Sequence, residues 1–285
     1  MKHIFNEVHY ELTRKIAEGG MGMVYEATQR GIGGFRKVVA IKLIREEYSA
    51  IEEFRNNFIG EARLVADLIH TNIVQTYHLG KIGEQYFMTM EFVTGWNLEE
   101  FLERHVETGQ YIPADLAVFI VSRICRGLGY AHRKRDDKGR LLGIVHRDVN
   151  PKNIMIAREG DVKLTDFGIA QIIGLESMTI TGTLVGSPAH MSPEQIDGQL
   201  QLDARADIWA LGTVLYAATT NGALPFDAGT PHAVLKKIID GRYDDPRRIS
   251  QHVDAGLATI IGRCLVVDRE ARYQEFLPPL SGLHG

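Results

Sequence analysis

Cysteine is almost missing from this 285-residue chain. Its two cysteines, Cys125 and Cys264, stand alone in apolar surroundings (SRICRGL and IGRCLVV), which suits small buried residues in a reducing compartment better than a disulfide framework or a metal site. An excess of cations is missing too. Lys and Arg total 32 against 36 Asp and Glu, for a formal net charge of −4, and without a long basic run nucleic acid is not an expected partner. No stretch approaches the ~20 apolar residues of a membrane helix. The opening MKHIFNEVHYE lacks the apolar core of a signal peptide, so the expected location is cytoplasmic. No G-x-x-x-x-G-K-[ST] phosphate loop occurs, and there are no internal repeats or low-complexity segments. The charged run RKRDDKGR at 133 to 140 reads as a solvated turn.

What is present is a chain of 45% hydrophobic and 24% charged residues, long enough to bury a substantial core. From 10 to 44, short β-like pieces are broken by glycine: YELTRKIA, EGGMG, MVYEATQ, GIGG and KVVAIKLI. This pattern predicts two hairpins. Phe54, Phe58, Ala62, Val65 and Leu68 fall on one face of a helix over 51 to 68. Strand-like IVQTYHLG and YFMTMEFV follow. Beyond Gly95 the periodicity turns helical, over 97 to 106, 114 to 132, 203 to 221, 231 to 240 and near 254 to 265. The expected fold class is therefore α+β: a small β-rich lobe with one helix ahead of a larger, mainly helical lobe.

The loop EGGMG lies between two strands, so it is not the strand-to-helix turn of a dinucleotide fold. At a hairpin tip, Gly19, Gly20 and Gly22 let backbone N–H groups approach a polyphosphate, although a tight turn alone also accounts for them. Lys42 ends the apolar strand VVAIK, where a buried charge needs a partner; Glu61 on the following helix is the natural one. The stretch HRDVNPKN (146 to 153) brings Asp148 and Asn153 within reach of one small volume suited to a metal or a hydroxyl proton. Asp166-Phe167-Gly168 follows DVKLT.

In order and spacing these elements match the protein-kinase signature set, and the chain resembles a eukaryotic-type Ser/Thr protein kinase of the kind also found in bacteria, from about Tyr10 to about Gln274. The resemblance implies two kinase lobes, 1–92 and 93–285, and transfer of the γ-phosphoryl group of ATP to Ser/Thr hydroxyls of protein substrates. Lys42, paired with Glu61, would bind the α- and β-phosphates; Asp148 would orient the substrate hydroxyl; Asn153 and Asp166 would hold Mg²⁺, or Mn²⁺ in its place. Ile16, Ala17, Glu18, Gly19, Gly20, Met21, Gly22, Val24 and Ala40 would line the nucleotide. The hinge would run through Glu91, Phe92 and Val93, whose backbone would meet the adenine, with Met90 just behind it. Asn97 falls where kinases contact the ribose, and a helix N-cap before LEEFL explains it equally well. Ser192-Pro193-Glu194 resembles the motif closing the activation segment, with Arg272 as the partner of Glu194. Arg147 would anchor a phosphate on Thr179, Thr181 or Thr183.

Four positions depart from the family pattern. Ala17 replaces the first glycine of the loop, and Ser187 stands where threonine is usual. Lys152 sits at a position that in some kinases is acidic, so arginine close before the acceptor would meet like charge. Asn150 replaces a lysine that touches the γ-phosphate. Either the neutral amide leaves a slow enzyme, or the site has adapted, with Lys152 supplying the charge. Retention of Lys42, Glu61, Asp148, Asn153 and Asp166 together favours an enzyme over a nucleotide-binding scaffold without catalysis.

Overall fold

The run VVAI is apolar at every position, the pattern of a strand covered on both faces. In the computed structural model, which describes residues 8–20, 22–167, 188–199 and 201–276 apart from the side chains of Glu53, Asn57 and Glu61, it lies in the middle strand of a five-stranded antiparallel sheet. Met21, Gly168, Thr179, Thr181, Thr183, Ser187 and the Glu61 side chain lie outside the described residues.

The chain divides into two compact units, residues 1–69 with 74–93, and residues 70–73 with 94–285. In the smaller unit the strands β1 (His9–Glu18), β2 (Gly22–Arg30), β3 (Arg36–Ile44), β4 (Thr76–Ile82) and β5 (Gln85–Glu91) follow the spatial order β1-β2-β3-β5-β4. Both predicted hairpins are present. Gly22 pairs with Ile44 so closely that a Cβ would lie 1.9 Å from the Leu43 carbonyl oxygen; no other residue fits there. A short helix α1 (Glu46–Ser49) leads into α2 (Glu52–Ala66). Phe54, Phe58 and Ala62 are buried along one side of α2, each aromatic contributing about 1.5–3 kcal/mol by leaving water. The Phe54 and Phe58 rings stack at 6.0 Å.

The larger unit holds α3 (Leu98–Glu107), α4 (Ala114–His132), α5 (Pro193–Ile196), α6 (Ala204–Thr219), α7 (Pro231–Asp240), α8 (Pro246–Ile249) and α9 (Ala255–Cys264). Its small sheet joins β6 (Gly95–Asn97), β7 (Ile154–Ala157) and β8 (Val162–Leu164). Helix α6 is the core. It is buried from Ala206 to Thr219, and Trp209 stacks on Phe226 at 5.3 Å.

This is the expected fold class, with one local difference. The strand predicted from Ile73 starts only at Thr76, and residues 70–73 belong to the other unit. Asn72 donates its Nδ2 to the Val162 carbonyl (2.8 Å) and accepts from Leu164 N (2.9 Å). The 133–140 run is a turn gathered by Asp136, which accepts from Lys138 N and Arg140 N at 2.9 Å each. Cys125 and Cys264 are free thiols, both pushed up to about 12 chiefly by burial, as core residues would be.

Candidate active site

Several sequence-predicted nucleotide residues lie on the five-stranded sheet of the smaller unit, where register locates them. Val24 faces Lys42, Ala17 faces Val24, and Ala40 faces Met90. Residues opposite one another across a ladder, and residues two apart along a strand, share a face. Ala17, Val24, Ala40, Lys42 and Met90 therefore lie on one side of the sheet. Lys42 is 7% exposed, so its charge is held inside the protein. The Gly-rich turn closes through Gly19 N to the Gly22 carbonyl (2.9 Å), and Arg45 Nη2 donates to the Gly19 carbonyl at 3.2 Å. A Cβ on Gly19 would meet nothing within 4 Å. Its glycine is thus not demanded by packing inside the protein. At the end of β5, Glu91 N donates to the Gln75 carbonyl (2.8 Å) and the Glu91 carboxylate accepts from Gln75 N (3.2 Å). Asn97 caps α3 in a full capping box, with Glu100 N donating to Oδ1 at 2.9 Å and Asn97 N donating to Glu100 Oε2 at 3.0 Å.

In the larger unit the loop between α4 and β7 is built around a buried carboxylate. Asp207, at the start of an apolar run in α6, is 0% exposed, and a carboxylate there must be fully hydrogen-bonded. Its Oδ2 accepts from His146 N (2.8 Å) and lies 2.8 Å from His132 Nε2; its Oδ1 accepts from Arg147 N (2.7 Å). Burial alone would raise this carboxyl, but the hydrogen bond and charge of His132, with those of His146, outweigh it and hold Asp207 below its usual range. On the other side, the Arg147 carbonyl accepts from Gln195 Nε2 at 2.7 Å. Arg147 takes φ 70, a left-handed conformation that costs energy for a non-glycine residue and that these bonds hold in place. His146, fully buried, reaches the Thr165 carbonyl (2.9 Å) with Nε2 and packs on Phe167 at 4.6 Å. The short β7–β8 hairpin and His146 together place Asp166 beside the loop.

Asp148, Asn150 and Asn153 then meet. Asn150 Nδ2 donates to Asp148 Oδ1 (2.9 Å) and to the Asp148 carbonyl (3.1 Å). Asn153 Nδ2 donates to Asp148 Oδ2 (2.9 Å) and to the same carbonyl (2.8 Å). Each carboxylate oxygen is thereby held by one amide. Burial pushes the Asp148 carboxyl up; the His146 charge and the hydrogen bonds from Asn153 and Asn150 oppose that, and the Asp166 charge adds to it. With its nitrogen committed to Asp148, Asn153 keeps an Oδ1 that accepts no hydrogen bond among the described residues. A hard amide oxygen of this kind, like the carboxylate of Asp166 whose charge is felt at Asp148, is the kind of donor that a Mg²⁺-sized cation takes. The residues present fit a divalent ion that keeps several of its ligands from water and phosphate.

The misfit residue Asn150 is only 4% exposed. Besides its bonds to Asp148, its Oδ1 accepts from Lys152 N at 3.0 Å, so both ends of the amide are used inside the loop. Lys152 points its Nζ to Glu99 Oε2, 3.6 Å away. The Lys152 ammonium is thus turned to Glu99, while the Asn150 amide is committed to Asp148 and to Lys152 N. Replacing Asn150 by alanine is therefore expected to lower kcat about tenfold. Losing a donor that favours the carboxylate form also raises the Asp148 pKa, so the acidic limb of the kcat profile moves to higher pH. A pH–rate series on the two proteins checks both; an unmoved limb would show that the amide does not act on Asp148.

Asp207, His132 and Gln195 were not singled out as supports of this loop from sequence. The available signal was a lone carboxylate opening the apolar run DIWALGTVLYAAT, which a folded core must satisfy. The expected closing-motif pair is present: Arg272 Nη1 and Nη2 donate to the two carboxylate oxygens of Glu194 at 2.7 and 2.9 Å.

The family model described as protein kinase domain matches residues 10–276. Among curated proteins, the tyrosine-protein kinase MasK of Myxococcus xanthus is 35% identical over 93% of the chain and 41% of its own length. The serine/threonine-protein kinase PrkC of Bacillus subtilis is 34% identical over 93% of the chain and 38% of its own length. PknL of Mycobacterium tuberculosis, another serine/threonine-protein kinase, is 36% identical over 84% of the chain and 55% of its own length. The chain thus spans about two fifths to a little over half of these relatives. The crystal structure of the M. tuberculosis PknI kinase domain superposes with a TM-score of 0.71 at 24% identity, covering 94% of this chain and 91% of that one, and shares its fold.

Proposed function

Because the chain belongs to the protein kinase domain family, whose members use ATP and a divalent metal, we propose that it transfers the γ-phosphoryl group of ATP to serine and threonine hydroxyls of protein substrates. The observation that carries this reading is the grip of Asn150 and Asn153 on the two oxygens of Asp148. A carboxylate fixed in this way, with no freedom to turn, is suited to orient an incoming hydroxyl and take up its proton as the O–P bond forms. Asn153 Oδ1 and Asp166 would hold Mg²⁺, with Mn²⁺ as a substitute; the bound ion would neutralise charge on the phosphate oxygens. Lys42, on the sheet face shared with Ala17, Val24, Ala40 and Met90, would bind the α- and β-phosphates, with Glu61 as its partner. Ile16, Glu18, Gly20, Met21 and Gly22 would complete the phosphate cover, and Glu91, Val93 and Asn97 the rest of the nucleotide site. A phosphate on Thr179, Thr181 or Thr183 would find in Arg147 a guanidinium on a backbone fixed by Asp207 and Gln195.

The relatives' names divide on the acceptor, since MasK is called a tyrosine-protein kinase and PrkC and PknL serine/threonine-protein kinases. Ser187, a hydroxyl residue rather than the proline typical of tyrosine kinases, supports the serine/threonine reading. Among the described residues no helix is long and apolar enough to cross a membrane, and we place the domain in the cytoplasm, where ATP is available. Incubating the purified chain and a general protein acceptor with ATP and Mg²⁺, followed by intact-mass and phosphoamino-acid analysis, tests this. Phosphoserine or phosphothreonine is expected. Phosphotyrosine alone would overturn the acceptor class, and nucleotide binding without any phosphate gain would leave a scaffold.

A further inference from the structure

The turn between β1 and β2 uses up one of its own amides. Gly19 N donates to the Gly22 carbonyl at 2.9 Å, so this N–H is not free for a polyphosphate, and the next amide along the turn is that of Gly20. Its direction is set by its neighbour. The Gly19 carbonyl and the Gly20 N–H belong to one planar trans peptide and point in opposite directions, so a group that holds the carbonyl on one side aims the N–H to the other. Packing does not hold it. A Cβ on Gly19 would meet nothing within 4 Å, and a peptide between two glycines is among the easiest to rotate.

The hold comes from Arg45, which follows directly after β3. Side chains alternate along a strand. Leu43 packs on the cluster of Ala27, Val39 and Ile41, whereas Lys42 and the buried Ile44 belong to the other face. Arg45 therefore leaves the strand on the face opposite Lys42. Glu18, one residue beyond Ala17, falls on that outer face as well. Arg45 Nη2 donates to Glu18 Oε1 at 3.3 Å and to the Gly19 carbonyl at 3.2 Å, and Lys15 Nζ donates to Glu18 Oε2 at 2.8 Å, fixing the carboxylate from its other end. As an ion pair, Arg45 with Glu18 contributes little, because both side chains are more than a third exposed. The same rotamer also leaves Arg45 Nε buried without a hydrogen-bond partner among the described residues, a cost that a side chain turned to water avoids.

We propose that Arg45 is a positioning residue for the nucleotide phosphates: by taking the Gly19 carbonyl on the outer face, it turns the Gly20 N–H toward the face that carries Lys42. This rests on the kinase reading above, which assigns the α- and β-phosphates to Lys42. Arg45 itself touches no phosphate. It acts through the direction of one backbone donor, and Glu18 with Lys15 keeps the guanidinium over the turn.

The test is calorimetric binding of Mg²⁺-ATP and of adenosine, which has no phosphates, to the wild-type chain, Arg45→Met and Arg45→Lys. Methionine keeps much of the apolar stem and loses the donor. It is expected to weaken ATP about tenfold, the effect of one hydrogen bond to a charged group, and to leave adenosine unchanged. Lysine keeps a cationic donor and should bind ATP within about threefold of wild type. The methionine loss should persist at high salt, which screens the field of a surface cation but not an aimed donor. An ATP-to-adenosine ratio unchanged in Arg45→Met, or a loss that vanishes at high salt, overturns the proposal. So does an equal fall for both ligands, which marks a general disturbance of the sheet. None of these readouts needs phosphoryl transfer, so they fail separately from the kinase reading. A wild-type chain that binds adenosine as tightly as ATP removes the phosphate site, and the proposal falls with it.

Discussion

Replacing Asp148 by alanine is expected to lower kcat by about 10² to 10⁴ without lowering the melting temperature at neutral pH. The two halves of this result have separate causes. The rate falls because the group that orients the acceptor hydroxyl is gone. Stability is kept because the carboxylate is a burden on the fold. Its pKa is raised by burial, so between its ordinary value and that raised value the folded protein binds more protons than the unfolded chain, and stability declines as pH rises through this window. Above the window the cost is fully present, and alanine removes it. Truncation leaves the Asn150 and Asn153 amides each bonded to the carbonyl of residue 148 and frees one N–H on each, at a partly exposed position where water replaces the carboxylate oxygens. Thermal melts and steady-state kinetics of the two proteins at neutral pH check both halves. A kcat within tenfold of wild type would remove Asp148 from the chemistry, and a clear drop in melting temperature would show that its hydrogen bonds outweigh its burial.

The same loop shows which parts of the site could be read from sequence. Residue types at fixed local spacing were legible: Asp148 with Asn153, the strand that ends in Lys42, the glycine turn, and Asp166 after a short strand. Periodicity located α4 and α7 to the residue, and the hydrophobic face of α2 was visible because three of its members fall every four positions. Supports from far along the chain were not legible. His132 and Asp207 are 75 residues apart, and Gln195 reaches Arg147 across 48; local pattern carries no record of such pairs. Asn150 shows a further limit. Its position suggested a missing phosphate contact, whereas its amide is turned inward to Asp148 and Lys152 N, a choice of rotamer that residue identity does not specify. The late start of β4 has the same origin, because a distant hairpin claims Asn72.

A second large effect is expected far from the chemistry. Arg272→Met should destabilise the domain by about 3–5 kcal/mol. Arg272 is among the largest fully buried side chains, and its guanidinium uses all five of its N–H groups. Nε donates to the Val266 carbonyl (2.6 Å), Nη1 to Glu194 Oε1 (2.7 Å) and the Arg205 carbonyl (3.1 Å), and Nη2 to Glu194 Oε2 (2.9 Å) and the Val267 carbonyl (2.9 Å). The cation also lies 4.9 Å from the centre of the Trp209 ring, an added attraction for a planar, weakly hydrated group. Methionine fills much of the volume but leaves the Glu194 carboxylate, 4% exposed, without its counter-charge and takes one donor from each of three carbonyls. Most of the loss comes from that stranded anion rather than from the pair's own attraction, since buried pairs gain little net energy over apolar packing. Removing the anion as well should therefore recover part of the stability: Glu194→Gln added to Arg272→Met is expected to cost less than the sum of the two single changes. Lysine at 272 should fare little better than methionine, because one ammonium cannot reproduce a five-donor fork. Urea unfolding of wild type, the two single variants, the double variant and Arg272→Lys decides the matter. Strictly additive losses, or an Arg272→Met loss below about 1 kcal/mol, would show that Glu194 does not depend on this partner, since a loss that small is what an exposed pair gives.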